Sequence, residues 1–255
     1  MEIKNVSMAE GYTARKLAGD ASGNYQWGLR LRNILDSDWG SDTHGEKRLV
    51  VKNQWNDLAP HVNSKSLIEL ALVGKELELH MSESKSKYVF IIDSYSEVLK
   101  EIRQRSRNLP PLYKLKLKGL LHGEVLTSLK KNNLVSEHRI NYLDLDFMNV
   151  GTDDVRKELG YTLRRVVRGP INKFLIVRPT FISAHRNGWT WTSKMNKMFE
   201  DIGFSQITSK NEISNDTEKL DLSHKITVDR DGWYDYQNKG SSTPMITSQF
   251  IYNAE

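Results

Sequence analysis

The chain contains no cysteine among its 255 residues. This absence excludes a disulfide framework, a zinc site built on thiolates and a cysteine nucleophile. It also suits a reducing compartment, and we expect a cytoplasmic protein.

Long apolar runs are missing as well. No segment approaches 18 consecutive apolar residues, and residues 1–6 have no apolar core of a secretory signal. We therefore expect no membrane partner. None of the seven histidines forms a pair four residues apart, so we expect no structural metal. The chain also lacks a Walker A sequence and the context of a nucleophilic serine, which argues against P-loop and serine-hydrolase chemistry.

Positive charges exceed negative charges only slightly in this chain. The 37 Lys and Arg residues exceed the 32 Asp and Glu residues, which gives a formal net charge of +5 and a pI of about 9.2. An excess of this size permits nucleic-acid binding without requiring it.

The first 60 residues differ in composition from the rest. They hold six of the sixteen glycines and three of the six tryptophans, Trp27, Trp39 and Trp55. We predict that residues 1–60 are an irregular N-terminal extension, packed through these aromatic side chains on a domain formed by residues 61–255. A substrate-stacking role for these tryptophans is the alternative.

From residue 61 onward, patterns typical of strands and helices alternate. Strands are predicted at 67–73, 88–92, 113–121, 140–146 and 173–177. Helices are predicted at 75–82, after a capping box at 94–97, at 125–131, after a cap at Asp153 or Asp154, and after Thr192 or Ser193. Residues 225–228, 233–236 and 245–252 are predicted as a terminal hairpin. The sequence predicts an α/β fold with a mostly parallel sheet of about seven strands, helices on both faces and an antiparallel C-terminal hairpin.

Gly74 and Asp93 end the first two predicted strands and are 19 residues apart. In nucleotide-binding sheets, an acid about 20 residues beyond a glycine turn accepts hydrogen bonds from ribose hydroxyls. Taken singly, Gly74 is as well explained by a turn and Asp93 by a helix cap. Taken together, two such residues at the ends of successive predicted strands favour a ligand site.

Residues 67–77 and 90–99 resemble the class I S-adenosylmethionine-dependent methyltransferases. The resemblance covers about residues 60–255, and it implies a Rossmann-like fold with S-adenosylmethionine as cofactor. It places Glu69 as the first-strand acid, Gly74 in the cofactor turn, Asp93 on the ribose and Glu124 near the adenine. Ser242 to Met245, before an aromatic strand, also looks like the family's last strand.

The resemblance implies a catalytic role for Asp146. In the family, an acid at the end of the fourth strand faces the transferred methyl group, where it could orient or deprotonate the acceptor. The alternative is an ordinary acid at a strand end. The motif Asp146-Phe-Met-Asn149 lacks the prolines of amino-group DNA methyltransferases.

Basic residues form several clusters. Arg164 and Arg165 lie on the clearest predicted helix, and Lys114, Lys116 and Lys118 alternate along the third predicted strand. Such cations bind phosphates. Trp189 and Trp191 follow the fifth strand and could stack on a base, although covering the core is the default role of such residues.

The sequence thus predicts a methyltransferase acting on nucleic acid, with RNA favoured over DNA and Arg164, Arg165, Trp189 and Trp191 as substrate contacts. Two alternatives stay open. One is a catalytically degenerate module that binds nucleic acid or a protein partner. The other is a different nucleoside-handling enzyme that uses the same ribose acid.

Overall fold

The computed structural model of the protein describes residues 45–73, 77–131, 134–150, 152–171, 173–183, 190–207, 226–237 and 244–254. The helices in this part of the chain are α1 (Gly45–Leu58), α2 (Leu77–Glu83), α3 (Ser96–Ser106), α4 (Pro111–Lys116), α5 (Val125–Lys131), α6 (Leu134–Glu137), α7 (Asp153–Arg168) and α8 (Thr190–Glu200), with a 3-10 turn at Ser64–Ser66. The strands are β1 (Ile68–Ala71), β2 (Tyr88–Asp93), β3 (Leu117–His122), β4 (Tyr142–Val150), β5 (Phe174–Ile182), β6 (Ser205–Ile207), β7 (Ile226–Val228), β8 (Tyr234–Gln237), β9 (Pro244–Thr247) and β10 (Gln249–Asn253).

All ten strands belong to one sheet. Its parallel part has the order β3-β2-β1-β4-β5, and β9, β8 and β7 extend it in antiparallel pairing. The order reverses between β1 and β4, because the chain builds outward from β1 first to β3 and then to β5. Open α/β sheets bind ligands at the carboxyl ends of the strands beside such a reversal.

β9 and β10 pair with β5 in one common register. Thr247 lies opposite Thr180 and Phe250 opposite Val177, so that Ser248 falls opposite Pro179. Proline has no N–H to donate to a ladder, which accounts for the interruption between the two strands. On the side away from β5, β9 pairs with β8, whereas β10 pairs with β6. The sheet therefore divides at this point.

Apolar clusters cover both faces of the sheet. On one face, helices α5 to α8 pack on Leu70, Leu143 and Val177. On the other face, α2 and α3 pack on Val89 and Ile91, while Trp55 and Leu58 of α1 pack on Tyr142 and Ile176.

Helix α7 confirms the clearest sequence pattern. Val155, Leu159, Leu163 and Val166 are buried along one side. The cap is Thr152, whose hydroxyl accepts from the Val155 N–H, and not Asp153 or Asp154.

The predicted fold class is confirmed, and the described residues form ten strands where about seven were predicted. Besides the cap of α7, several local predictions were wrong. Thr192 and Ser193, predicted to cap α8, lie inside it, because α8 begins at Thr190. Residues 111–116 form helix α4, so Lys114 and Lys116 do not alternate on a strand. The N-cap of α3 is Tyr95, without a side-chain cap bond, rather than the predicted Ser94. Residues 45–58, expected to be irregular, form α1.

Trp55 is buried in the core as predicted, whereas Trp27 and Trp39 lie outside the described residues. None of the helices described here is both long enough and apolar enough to cross a membrane.

We expect the substitution Leu163→Ala to lower the free energy of unfolding by about 2–5 kcal/mol, because Leu163 is fully buried and its removal leaves a cavity. Urea denaturation followed by circular dichroism measures this change. Leu115, which is 67% exposed, provides the control, and Leu115→Ala should change stability by less than about 0.5 kcal/mol. Equal effects of the two substitutions would contradict the assigned core.

Candidate functional site

A narrow cleft lies over the reversal point of the sheet. Its floor is formed by the ends of β1, β4 and β5, and its walls by α1 and α2. The charged side chains that line it include Lys47 and Arg48 from α1, Asp144 and Asp146 from β4 and Arg178 from β5, and His80 from α2 and Thr180 from β5 lie beside them.

A buried ion pair forms the base of the cleft. The Arg178 guanidinium donates from Nε to Asp144 Oδ1 at 2.9 Å and from a terminal nitrogen to Asp144 Oδ2. Both side chains are buried. Burial alone would lower the pKa of Arg178, but the charge of Asp144 raises it overall. Gln54 of α1 reaches the same guanidinium with its Oε1 at 3.5 Å.

Glu69, in the middle of β1, is fully buried beside this pair. The Ser84 hydroxyl donates to Glu69 Oε2 at 2.6 Å, and His80 Nε2 lies 3.1 Å from Oε1. Burial alone would raise the pKa of Glu69, but the charge of His80 and these contacts lower it to about 2. Glu69 is therefore ionised, and its predicted role as the first-strand acid of a cofactor site stays a prediction.

His80 joins the two acids. Its Nδ1 lies 3.5 Å from Asp144 Oδ2, on the opposite side of the ring from Glu69. Glu69, His80 and Asp144 offer one ligand atom each, all within 4.8 Å of one another, which is a donor set that divalent cations use. Both Asp144 oxygens already accept from Arg178, so a cation here would lie beside a guanidinium.

Asp146 faces the same cleft from the next outward position of β4. Lys47 Nζ of α1 donates to Asp146 Oδ2 at 2.7 Å, and both side chains are about 15% exposed. Asp146 Oδ1 is buried and accepts no hydrogen bond from the described residues. An acceptor in this state suits a ligand that brings its own donor.

Asp93 ends β2 at the same edge of the sheet. Its Oδ1 accepts from the Tyr95 N–H at 2.8 Å, and His122 is its register partner on β3. Burial raises the pKa of Asp93 to about 6, against smaller opposing effects of the neighbouring backbone N–H groups and of His122.

Glu124 follows β3 and caps α5. Its two carboxylate oxygens accept from the N–H groups of Leu126 at 3.0 Å and Thr127 at 2.6 Å. The carboxylate thus has a complete structural function, and its predicted position near an adenine stays a prediction.

The predicted substrate contacts do not form one surface. Trp191 packs between Phe181 and Trp233, with ring centroids 5.0 and 5.9 Å away, and so contributes to the core. Arg164 is exposed on α7 and faces α8, whereas Arg165 contacts Tyr161. Gly74 and Trp189 lie outside the described residues.

Sequence reasoning missed Lys47, His80, Asp144 and Arg178. Two signals could have revealed some of them. Asp144 and Asp146 alternate with leucines, which places both on one face of β4. Arg178 interrupts the apolar run of β5, and a cation within a buried strand requires an acidic partner.

Comparison with protein-family models and with curated proteins gives no match. Among solved structures, the chain is similar to M. jannaschii TYW2 in complex with AdoMet, with a TM-score of 0.47 and 10% identity over 87% of this chain and 80% of the other. It is also similar to the methyltransferase domain of bacterial CtHen1, with a TM-score of 0.44 and 15% identity over 81% of this chain and 100% of the other. A third similar structure is the N-methyltransferase NodS from Bradyrhizobium japonicum WM9, with a TM-score of 0.46 and 10% identity over 86% and 99% of the two chains. Likenesses at this level do not transfer an activity.

We expect Glu69→Gln to destabilise the protein at pH 7 by about 3–5 kcal/mol, because it removes one charge of a buried ionic cluster. The pKa of Glu69 is about 2 in the folded protein and 4.5 in the unfolded chain. The contribution of Glu69 to stability is therefore complete above about pH 4.5 and is lost as the pH falls toward 2. Urea denaturation at a series of pH values measures this dependence.

The matched control is Glu137→Gln, at an exposed acid of α6. It should leave both the stability and its pH dependence unchanged. A Glu69→Gln variant whose stability falls with acid as steeply as that of the wild type would contradict the assignment.

Proposed function

We propose that the protein is an S-adenosylmethionine-dependent methyltransferase that acts on nucleic acid, with RNA favoured over DNA. The observation that carries the proposal is the pair of acids at the carboxyl edge of the sheet. Asp93 ends β2, and Asp146 of β4 lies in the cleft where the strand order reverses. This is the edge at which open α/β sheets bind nucleotide-like ligands.

Asp93 suits the ribose of the cofactor. An ionised carboxylate offers two acceptor oxygens to two adjacent hydroxyl donors. Burial raises the pKa of Asp93 to about 6, so the group is ionised at neutral pH at an energetic cost. Hydroxyl donors from a bound ribose would offset that cost.

Asp146 and Lys47 suit the acceptor side. The cofactor supplies an activated methyl group, so the protein mainly has to hold the acceptor in line with it. Asp146 Oδ1 is a buried acceptor without a donor among the described residues, and it can accept a hydrogen bond from the substrate. Lys47, 2.7 Å from the other oxygen, orients the carboxylate.

A degenerate module that binds nucleic acid or a protein partner is the second candidate. The side chains of Leu72 and Val73 line the cleft just before Gly74, where a small residue would leave more room for a ligand. The ion pair of Lys47 with Asp146 also occupies part of the cleft. Absence of cofactor binding would select this alternative.

We expect Asp93→Ala to weaken S-adenosylmethionine binding at least tenfold in isothermal titration calorimetry, since each hydrogen bond to a charged group contributes about 1.5–3 kcal/mol. Glu137→Ala, an exposed acid on the opposite edge of the sheet, is the control and should bind normally. Wild-type affinity should fall about tenfold per pH unit below pH 6 and be constant above it, because only the ionised acid accepts two donors. Unchanged affinity in Asp93→Ala would remove the ribose role.

We expect Asp146→Ala to lower methyl transfer at least about 100-fold and to leave cofactor affinity within about twofold, because Asp146 acts on the acceptor. Transfer from radiolabelled cofactor to unmodified RNA transcripts measures the rate. Asp154→Ala, at an exposed acid of α7, is the control. Normal turnover in Asp146→Ala would exclude this residue from catalysis.

A further inference from the structure

A second concave surface lies between α7 and α8 on the face of the sheet opposite the cleft. We call it the α7–α8 groove. The two helices approach closely at Gly160, where a Cβ would come within 2.8 Å of Met198 Sδ. The missing side chain gives the groove its depth.

Cations dominate the lining of this groove. Five are present, Arg156, Lys157, Arg164, Lys194 and Lys197, against one acid, Asp201. Three of the cations form ion pairs, and in these Asp153 is shared by Arg156 and Lys194 while Lys197 contacts Glu200 and Asp201. Such exposed pairs contribute little to stability and exchange readily for another anion.

Lys157 and Arg164 differ from the other three. Both are exposed, and neither forms an ion pair with any residue that the structure describes. They are seven positions apart on α7, which is two helical turns or about 10 Å along the axis. Two cations this far apart on one side of a helix can contact different phosphates of the same strand.

The two helices of the groove start at the edge of the sheet where the candidate site lies. α7 begins three residues after β4, and α8 follows β5 after a single connection, so both helices start at the carboxyl edge of the sheet. Asp93 and Asp146 lie along the same edge. A strand bound in the groove on one face can therefore reach the cleft by passing over this edge.

We propose that the α7–α8 groove binds the phosphate backbone of single-stranded RNA through Lys157 and Arg164, with Arg156, Lys194 and Lys197 as additional contacts. The inference rests on the proposed function, for which it names a docking surface. A protein partner fits less well, because the groove presents cations and no exposed apolar anchor, whereas protein interfaces are depleted in charge at their centres.

The chain offers a matched control at the other edge of the sheet. Lys85 and Arg139 are exposed like Lys157 and Arg164, but they precede β2 and β4 and line neither the groove nor the cleft. The double variants K157E/R164E and K85E/R139E therefore change the net charge equally at different places on the surface.

Fluorescence anisotropy with a labelled single-stranded RNA, at salt concentrations between roughly 50 and 200 mM, tests the proposal. We expect K157E/R164E to weaken binding at least tenfold at the lowest salt and to reduce the slope of log K against log salt by about 1.4, as two lost phosphate contacts require. K85E/R139E should bind within about threefold of the wild type. The neutral pair K157Q/R164Q and K85Q/R139Q repeats the comparison if a charge-reversed variant does not fold.

Equal weakening in the two double variants, or no weakening in either, would overturn the groove as a site. Calorimetry with S-adenosylmethionine separates this outcome from failure of the proposed function. RNA binding that depends on the groove, without cofactor binding, would support the groove as a site and refute the proposed methyltransferase. Cofactor binding together with RNA binding that does not depend on the groove would support the methyltransferase and refute the groove as the RNA site.

Discussion

The ion pair of Arg178 with Asp144 is the interaction on which the centre of the molecule depends. It places a cation and an anion on adjacent parallel strands, both buried. Removal of either partner would leave an uncompensated charge in the sheet, which costs far more than the pair contributes. Glu69 and His80 extend the pair into a buried ionic cluster, and Gln54 connects it to α1.

This cluster explains why the cleft lies where it does. Trp55 and Leu58 of α1 pack directly on the sheet. Farther along β4 and β5 the buried charges require partners at hydrogen-bonding geometry, so α1 and α2 present Gln54, Lys47 and His80 there, and the cleft lies among these side chains. Asp146 and Lys47 lie at the rim of the resulting cleft, and they bring a second ion pair within reach of solvent.

Much of the fold could be predicted from the sequence, because β2, β4, α5 and α7 have apolar patterns with the period of their own structure. The helix at 111–116 could not be predicted, since it begins at the second of two adjacent prolines and continues directly into β3, with no glycine or proline between the helix and the strand. Asp93 and Asp146 could be predicted as strand-end acids. Their neighbours His80, Arg178 and Lys47 could not, because their partners are between 11 and 99 residues away in the chain and no local pattern links them.

The common register of β9 and β10 along β5 has a consequence for the order of assembly. During synthesis β5 leaves the ribosome well before its antiparallel partner, with the segment from α8 to β8 in between. Until residues 244–253 arrive, the inner strand β5 is an open edge with a row of unpaired N–H and C=O groups. Pairings this distant close late and slowly, and exposed edges invite association with other chains. Nascent-chain protection, through a chaperone or through temporary cover by α8, therefore matters more for this topology than for a sheet whose last strand is peripheral.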